Sequence, residues 1–311
     1  MRMKSIWQLV MVLFAAAVFP STAFAQGEGP RVYFPTPEGM NQVTVFYMGV
    51  DGNQTVDGDI IVPQADISVD TVLVQFTAVR EIFGQPGAFL LFVPVGEVRG
   101  NLRLGGGDGF EAKTSGFGDV LVGMAVGLAG TPALTREEYF AYKPDYQVGV
   151  LGRVTIPTGD YDSERTLNYG GNRWITEIGL PSSIFIGEGL LDPKLMTIEF
   201  NPVLTLFGDN NDPTSGDKLE QDPLFSADLH LTRNFSPAIW GSLDAQYSLG
   251  GETKIDGIDQ GNSQESLSLG ATFGLNLSAS LSTQVSVGKS VANNNDGAEG
   301  DFVRVKFGVL F

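Results

Sequence analysis

The sequence predicts an all-β fold, a single antiparallel up-and-down transmembrane β-barrel of about 12 strands. Alternation of apolar and polar side chains with a period of two recurs along the chain, and helical periodicity is almost absent. Along the chain, long connections between these segments alternate with short ones. The 311 residues include 40 glycines and no cysteine, so the fold depends on burial or closed backbone pairing rather than on disulfides.

The C-terminal segment 301–311 shows the alternation most clearly. Apolar side chains occupy every second position from Val303 to Phe311, and Arg304 and Lys306 lie between them. One apolar face and one cationic face suit a barrel wall between lipid and a wet lumen. An edge strand of a soluble β-sandwich is the alternative. The terminal aromatic, Phe311, also resembles the assembly signal of bacterial outer-membrane barrels, which implies the barrel-assembly machinery as a partner.

The N-terminal residues 1–25 have the pattern of a cleaved secretory signal peptide. Arg2 and Lys4 precede an apolar run over 6–19, and the small-x-small sequence 23–25 ends in Ala25. The run is too short for a membrane-spanning helix. We therefore expect a barrel domain over 26–311, with a retained N-terminal anchor as the alternative. Loss of the segment would change the net charge from −17 to −19.

Twelve alternating segments are candidate strands, each close to the nine to eleven residues that a tilted strand needs to cross a bilayer. An even number is typical of single-chain bacterial barrels. The predicted strands are 42–50, 67–79, 88–98, 119–130, 144–156, 174–187, 195–207, 224–234, 238–249, 265–276, 279–289 and 301–311.

The connections after odd-numbered strands are long and polar, and most of those after even-numbered strands are short. This segregation predicts long loops outside the cell and short turns, with both termini, in the periplasm. The segment 131–143 is too long for a tight turn and could form a short periplasmic helix. Because it is the weakest point in the strand count, ten or fourteen strands remain alternatives.

Three glycine-rich motifs support a family resemblance. They are Gly-Phe-Gly-Asp at 116–119, Pro-Thr-Gly-Asp-Tyr at 157–161 and Gly-Gly-Asn-Arg-Trp at 170–174. Together they resemble the outer-membrane barrel family named for the meta-cleavage pathway of phenol degradation. The resemblance implies transport of small, often hydrophobic or aromatic compounds, and it supplies no substrate-binding residues. From the residues themselves, we expect the glycines to permit bulges and close packing rather than to contact a ligand.

The alternation also predicts which polar side chains face the lumen. A charge on the lipid face would cost about 2–4 kcal/mol near the midplane, which strongly favours the phase that turns charges inward. The predicted lumen and solute-path residues are Arg153, Glu177, Glu199, Asp228, His230, Trp240, Asp244, Gln246, Arg304 and Lys306. They could line an open path or form a structural network that fills the barrel.

These observations predict an outer-membrane channel or facilitator through which small solutes pass by passive diffusion. The solutes could include hydrophobic or aromatic compounds, and the barrel would be in contact with membrane lipid. Twelve strands imply a narrow or partly plugged lumen. The alternatives are a non-conducting barrel that is structural or binds a partner and, more distantly, a lipid hydrolase based on His230 and Thr232. No cofactor and no metal site are expected, since His230 is the only histidine and the acidic loops lack EF-hand spacing. The strong acidity argues against nucleic acid.

Overall fold

The computed structural model describes residues 28–53, 66–102, 110–294 and 297–311, so the predicted signal peptide lies outside the described residues. Almost all of the regular secondary structure in the described chain is β-strand. The strands are β1 (Asn41–Gly52), β2 (Asp66–Ile82), β3 (Gln85–Leu102), β4 (Phe110–Phe117), β5 (Val120–Ala129), β6 (Tyr146–Ile156), β7 (Ile175–Gly179), β8 (Ser182–Ile186), β9 (Met196–Phe207), β10 (Leu219–Gln221), β11 (Leu224–Asn234), β12 (Ile239–Gly250), β13 (Thr253–Ile255), β14 (Ile258–Asp259), β15 (Gln264–Asn276), β16 (Leu281–Asn293) and β17 (Gly300–Leu310).

The main sheet closes into a 12-stranded antiparallel barrel, which confirms the predicted fold class. Each wall strand pairs with its neighbours in sequence order, with β4 and β5 forming one wall position and β7 and β8 another. The seam joins β17 to β1 over eleven residue pairs, from Gln42 opposite Leu310 to Gly52 opposite Gly300. Pairing of the first wall strand with the last closes the sheet, as a membrane-spanning β-structure requires.

At two wall positions the structure has two strands where the sequence predicted one. The segment predicted as 174–187 is broken between β7 and β8 at Pro181, whose carbonyl accepts from the Gly149 N–H at 2.8 Å and which has no N–H for a ladder bond. The segment predicted to begin at 119 is preceded by β4, which pairs with the far end of β3. Part of the connection predicted over 99–118 is therefore strand, because β3 and β4 extend beyond the membrane-crossing length.

Side-chain burial follows the predicted alternation around the barrel. On β2, Val72, Val74 and Phe76 point outward and are 39–41% exposed, whereas Thr71 and Gln75 are buried in the interior. On β12, Leu243 is exposed and Trp240 is buried. An apolar belt around a polar interior is what a transmembrane barrel requires.

The helix α1 (Arg136–Ala141) lies in the segment where a short helix was predicted. Thr135 caps it, and Thr135 and Glu138 form a reciprocal capping box. Hydrogen bonds from the backbone and side chain of Thr135 lower the pKa of Glu138. Within the described ranges, no helix is long and apolar enough to cross a membrane.

The two ends of the barrel differ as loop parity predicted. We call the end with the connections after β1, β3, β6, β9, β12 and β16 the loop end, and the opposite end the turn end. A small sheet of β10, β13 and β14 stands at the loop end. There, hydrogen bonds to Asp209 and Glu220 raise the pKa of Lys218. The chain begins β1 and finishes β17 at the turn end.

Candidate functional site: a plugged lumen

Residues 28–40, which we call the N-terminal plug, precede β1 and fold back into the lumen. At its base, the Gly39 N–H donates to the Val79 carbonyl at 3.0 Å, near the turn end. From there the chain runs inward to Gly29 and Pro30, which are buried. Gly29 and Arg31 both have positive φ, +87° and +64°, in a tight turn inside the barrel. The plug forms no strand pairing with the wall, so it is held by side chains and isolated backbone contacts.

The tip of the plug is held by charges. Arg153 on β6 donates to Glu28 at 2.5 Å and to Glu177 on β7 at 2.8 Å. The side chains of Arg153 and Glu28 are only 12% and 9% exposed. The ammonium of Lys306 lies 3.5 Å from the Glu28 carbonyl oxygen and 4.9 Å from the centre of the Phe46 ring. Partly desolvated ion pairs of this kind are costly to break from one side.

Arg31 forms a second anchor, closer to the turn end. Its backbone N–H donates to Glu199 at 2.8 Å, and its guanidinium donates to the Thr232 hydroxyl at 2.9 and 3.1 Å. The guanidinium carbon also lies 4.3 Å from the centre of the Trp240 ring. Arg31 therefore combines a cation–π attraction with hydrogen bonds. Through these contacts one plug residue reaches three wall strands.

The aromatic residues of the plug pack against apolar side chains near the turn end. Phe34 lies 5.5 Å from Phe185 between ring centroids, beside buried Leu190 and Leu195. Gln147 on β6 donates to the Tyr33 carbonyl. Both aromatic side chains are partly buried, Tyr33 against the cluster of Leu90, Phe92 and Leu151, and no strand alternation accounts for them.

A second polar network lies in the wall rather than on the plug. His230 Nδ1 is 2.7 Å from Asp244, which also accepts from Ser242 at 2.5 Å and from Thr272 at 2.7 Å. With its one proton given to Asp244, the Thr272 hydroxyl accepts from the Ser286 hydroxyl, 2.8 Å away. In the part of the chain that the structure describes, His230 Nε2 has no hydrogen-bond partner.

The structure therefore divides the ten predicted lumen residues between the plug anchors and the wall. Five contact the plug: Arg153, Glu199, Trp240, Arg304 and Lys306. Glu177 reaches the plug through Arg153, while His230 and Asp244 belong to the wall network, as does the pair formed by Asp228 and Gln246. Their part in a solute path stays a prediction.

Sequence reasoning did not assign the plug. Its signal was present, because the segment 28–40 combines glycines and prolines with the apolar pair Tyr33 and Phe34. Glycines and prolines argue against a strand, and adjacent aromatic residues favour burial. A segment with both properties beside a barrel strand is a candidate for the lumen.

The three glycine-rich motifs meet at the loop end. Asp119 accepts from the backbone N–H groups of Thr158 and Gly159 at 2.9 and 2.6 Å, and from that of Gly171 at 2.8 Å. Asp160 accepts from the Phe117 N–H at 2.7 Å. The connection 157–174 is thereby fastened to the start of β5. Since the three motifs are distant in sequence, only the fold brings them together.

Close approach explains two glycines at this junction, as expected from the sequence. A Cβ at Gly116 would lie 2.1 Å from the Asp160 carboxylate, and a Cβ at Gly159 would lie 2.8 Å from the Gly118 carbonyl carbon. Beyond them the connection turns inward, where Tyr169 is buried and its hydroxyl lies 2.6 Å from that of Thr71. The motifs therefore position a tyrosine over the lumen.

The plug and the connection 157–174 leave separate cavities in the barrel. Toward the turn end, cavities of about 160, 440 and 530 Å³ adjoin the plug residues Arg31, Phe34 and Thr36. Between the plug tip and Tyr169 lies an outer cavity of about 220 Å³ that includes Glu28 in its lining. The outer cavity shares no lining residue with the three inner cavities. The plug thus divides the lumen into two compartments.

The closed sheet, the apolar belt and the partly filled polar lumen define an outer-membrane β-barrel of the narrow, plugged type. The family model described as the putative MetA-pathway of phenol degradation matches residues 50–307, and the chain belongs to this family. The match confirms the resemblance seen in the glycine-rich motifs. The plug precedes the matched region.

Two solved structures share the fold. The COG4313 outer-membrane channel from Pseudomonas putida F1 is 20% identical, with a TM-score of 0.73, and the alignment covers 92% of this chain and 100% of that one. The β-domain of the Bordetella autotransporter BrkA is 12% identical, with a TM-score of 0.51, and the alignment covers 88% and 100%. Comparison with curated proteins finds no sequence match.

Proposed function

We propose that this protein is an outer-membrane channel that lets small uncharged solutes diffuse through its lumen once the N-terminal plug moves. One observation carries the proposal: cavities lie on both sides of the plug, and the plug is joined to the wall by side chains rather than by strand pairing. Its displacement would join the two compartments without breaking the barrel. The P. putida relative, described as an outer-membrane channel, supports this assignment.

The plug contacts suggest how the path is closed at rest. Two arginines, Arg31 and Arg153, connect the plug to different strands of the wall. Each anchor is a polar contact that solvent can replace once the segment leaves, unlike the apolar core of a globular domain. We infer that the closed and open states differ in the position of 28–40, with the barrel itself unchanged.

Export by a cleaved signal peptide over residues 1–25 and insertion into the outer membrane are part of the same proposal. The basic start, the apolar run and the small-x-small site support the first step. The exposed apolar belt around a closed sheet supports the second.

A non-conducting barrel is the second candidate, and one observation favours it. The plug, the wall network and Tyr169 together fill much of the lumen. Such a barrel would serve as a rigid scaffold for its loop end. The more distant lipid-hydrolase hypothesis draws less support, because the Thr232 hydroxyl contacts Arg31 and Thr197, whereas His230 contacts Asp244.

A reversible cross-link between plug and wall tests the channel against the scaffold. Because the chain has no cysteine, the double variant Phe34→Cys/Phe185→Cys can be joined by a short bifunctional methanethiosulfonate and released with reductant. A channel should conduct in planar bilayers before cross-linking, lose conductance when linked and regain it after reduction. The two single-cysteine variants treated in the same way are the controls. Conductance that is absent throughout, or unaffected by the link, would contradict the proposal.

A further inference from the structure

The inner cavities, on the turn-end side of the plug, differ in charge from the rest of the protein. The chain has 36 acidic and 19 basic residues. Within the described residues, however, the charged groups that line the three inner cavities are all basic: Arg31, Arg136 and Lys306. The outer cavity instead has charged groups of both signs in its lining, namely Glu28, Asp119, Arg153, Glu177 and Arg304. The inner cavities therefore favour a negatively charged ligand.

Two of these cations line the same inner cavity, which has a volume of about 440 Å³. Arg31 belongs to the plug and Lys306 to β17. The hydrogen bonds of Arg31 to Thr232 use Nε and Nη2, and Nη1 takes no part in them. The Lys306 ammonium lies 3.5 Å from the Glu28 carbonyl oxygen, and within the described ranges it forms no ion pair. Both side chains are partly buried, so a bound anion would offset the cost of removing their charges from water.

The carboxylates close to this cavity do not neutralise both cations. Glu199 accepts the Arg31 backbone N–H at 2.8 Å with one oxygen and the Thr197 hydroxyl at 2.8 Å with the other. The Glu28 carboxylate is paired with Arg153 and lines the outer cavity. Because Glu199 carries a single charge, it can balance only one of the two cations. The cavity therefore keeps a net positive charge.

Uncharged polar groups complete the cavity wall beside Gly308. This glycine lies two residues after Lys306 on β17, so the two residues share the lumen face. A Cβ at Gly308 would lie 2.9 Å from Gln42 Nε2 and 3.1 Å from Ser282 Oγ. All four residues line the same cavity. The missing side chain thus leaves space between an amide and a hydroxyl group, each of which can donate a hydrogen bond to a ligand.

We propose that the inner cavity between Arg31 and Lys306 is a binding site for a small oxyanion, either a carboxylate or inorganic phosphate. Its oxygens accept charge-assisted hydrogen bonds from Arg31 Nη1 and Lys306 Nζ. Because Arg31 is part of the plug and Lys306 is part of the wall, the bound anion links the two and stabilises the plugged state. The site goes beyond the proposed channel function, since the anion acts on the plug and is not the diffusing solute.

Titration with acetate, inorganic phosphate and uncharged acetamide tests the site on the purified full barrel in an uncharged detergent. The fluorescence of Trp240 reports binding, because its ring stacks on Arg31 at 4.3 Å. At constant ionic strength, we expect acetate or phosphate to change the emission and acetamide to leave it unchanged. The anion that acts at the lower concentration identifies a carboxylate or a phosphate as the ligand. No response to either anion, an equal response to acetamide, or the same response in Trp240→Phe would overturn the proposal.

Paired variants separate the site from a general effect of charge. Lys306→Gln should weaken oxyanion binding about tenfold, because a hydrogen bond from a charged donor is lost. Arg136→Gln removes a cation that lines a neighbouring inner cavity and should keep the wild-type affinity. Equal weakening in the two variants would refute the site.

A glycine pair replaces these variants if Lys306→Gln does not fold, as judged by heat-modifiable migration. Gly308→Val fills the space between Gln42 and Ser282 and should also weaken binding. Gly152→Val is the control, since Gly152 is exposed and no atom lies within 4 Å of its Cβ position. Wild-type affinity in Gly308→Val would refute the site.

Hydrogen exchange of residues 28–40, followed by mass spectrometry, tests the link between plug and wall. The oxyanion that binds should slow exchange in this segment of the wild type and have less effect in Lys306→Gln. Binding without slower exchange would overturn the link. Planar-bilayer conductance is measured on the same wild-type preparation. Binding with slower exchange but without conductance would leave the site intact and refute the channel, whereas conductance without oxyanion binding would refute the site alone.

Discussion

The guanidinium of Arg153, on β6, donates a 2.5 Å hydrogen bond to the carboxylate of Glu28, which stands at the tip of the N-terminal plug. The two residues are 125 positions apart in sequence. Arg153 also binds Glu177 on the neighbouring strand, so a single side chain connects the plug to the barrel wall. Both the closed state and the stability of the interior are therefore expected to depend on this contact.

Replacement of Arg153 tests that dependence. Arg153→Gln leaves two carboxylates without their cation, and breaking a buried pair from one side costs about 3–5 kcal/mol. We expect earlier urea unfolding and, because the plug tip is released, more frequent channel opening in planar bilayers. Arg99→Gln, which breaks exposed ion pairs with Asp70 and Glu97 at the loop end, should change neither measurement. Equal effects of the two variants would contradict the anchor.

A second prediction concerns Gly29, next to Arg304. A Cβ at Gly29 would lie 2.2 Å from Arg304 Nη2, and the residue has φ +87°. Gly29→Ala should displace the plug tip and raise conductance while the barrel still forms. Gly39→Ala is the matched control, since Gly39 has φ +80° but no atom within 4 Å of its Cβ position. Alanine in a left-handed conformation costs about 1–2 kcal/mol in both variants. A difference in conductance between the two variants therefore reports the clash with Arg304.

The junction at Asp119 leads to a third prediction. Aspartate has two acceptor oxygens, whereas asparagine has one oxygen and one NH₂ group that only donates. In Asp119→Asn at least one of the three backbone N–H groups therefore loses its hydrogen bond. We expect faster proteolysis within 157–174 in the folded protein. Asp209→Asn, which alters an exposed ion pair with Lys218, serves as the control. Identical cleavage rates in wild type and Asp119→Asn would show that other contacts hold the connection.

Membrane orientation is a fourth prediction, derived from the long and short connections. A protease site inserted in 208–223, at the loop end, should be cut on intact cells. One inserted at Ser236, in the short connection between β11 and β12, should be cut only after the outer membrane is opened. Cleavage at Ser236 on intact cells would reverse the proposed orientation.

The C-terminal residue supports a fifth prediction. Phe311 exchanges backbone hydrogen bonds of 2.7 and 2.8 Å with Asn41 at the barrel seam, and its side chain is exposed on the barrel surface. Deletion of Phe311 should lower the amount of heat-modifiable barrel in the outer membrane, because it removes both the seam contact and the predicted assembly signal. The variant Phe311→Ala keeps the backbone hydrogen bonds to Asn41 at the seam and removes only the aromatic ring. Wild-type levels for both variants would exclude an assembly role for this residue.

Features of the structure that depend on neighbouring residues were easier to predict from the sequence than features that depend on residues far apart in the chain. All twelve wall positions were predicted, because the side-chain period of a strand is a local property of a few neighbouring residues. The break at Pro181 was not predicted, although a proline in a strand is a local signal. The extension of β3 and β4 beyond the membrane was missed since polar residues there alternate too weakly to mark a strand.

The candidate site was only half predictable. Alternation alone turned Trp240 and Asp244 inward, because a charge on the lipid face is costly and Trp240 lies on the same face of β12 as Asp244. Their partners could not be deduced: Trp240 packs under Arg31, whereas Asp244 binds His230 within the wall. Barrel closure and register determine which side chains meet across the lumen.

By itself the sequence determined the fold class, the strand number, the inward and outward faces and the family, all of which depend on periodicity and short motifs. Only the tertiary structure decided that residues 28–40 occupy the lumen and that Arg31 and Arg153 hold them there. It also decided that the Asp119 carboxylate binds backbone N–H groups of motifs that are distant in the sequence. The physical reason is the range of the interactions. Alternation is set by neighbours in the chain, whereas an ion pair between residues 125 positions apart exists only after the barrel has closed.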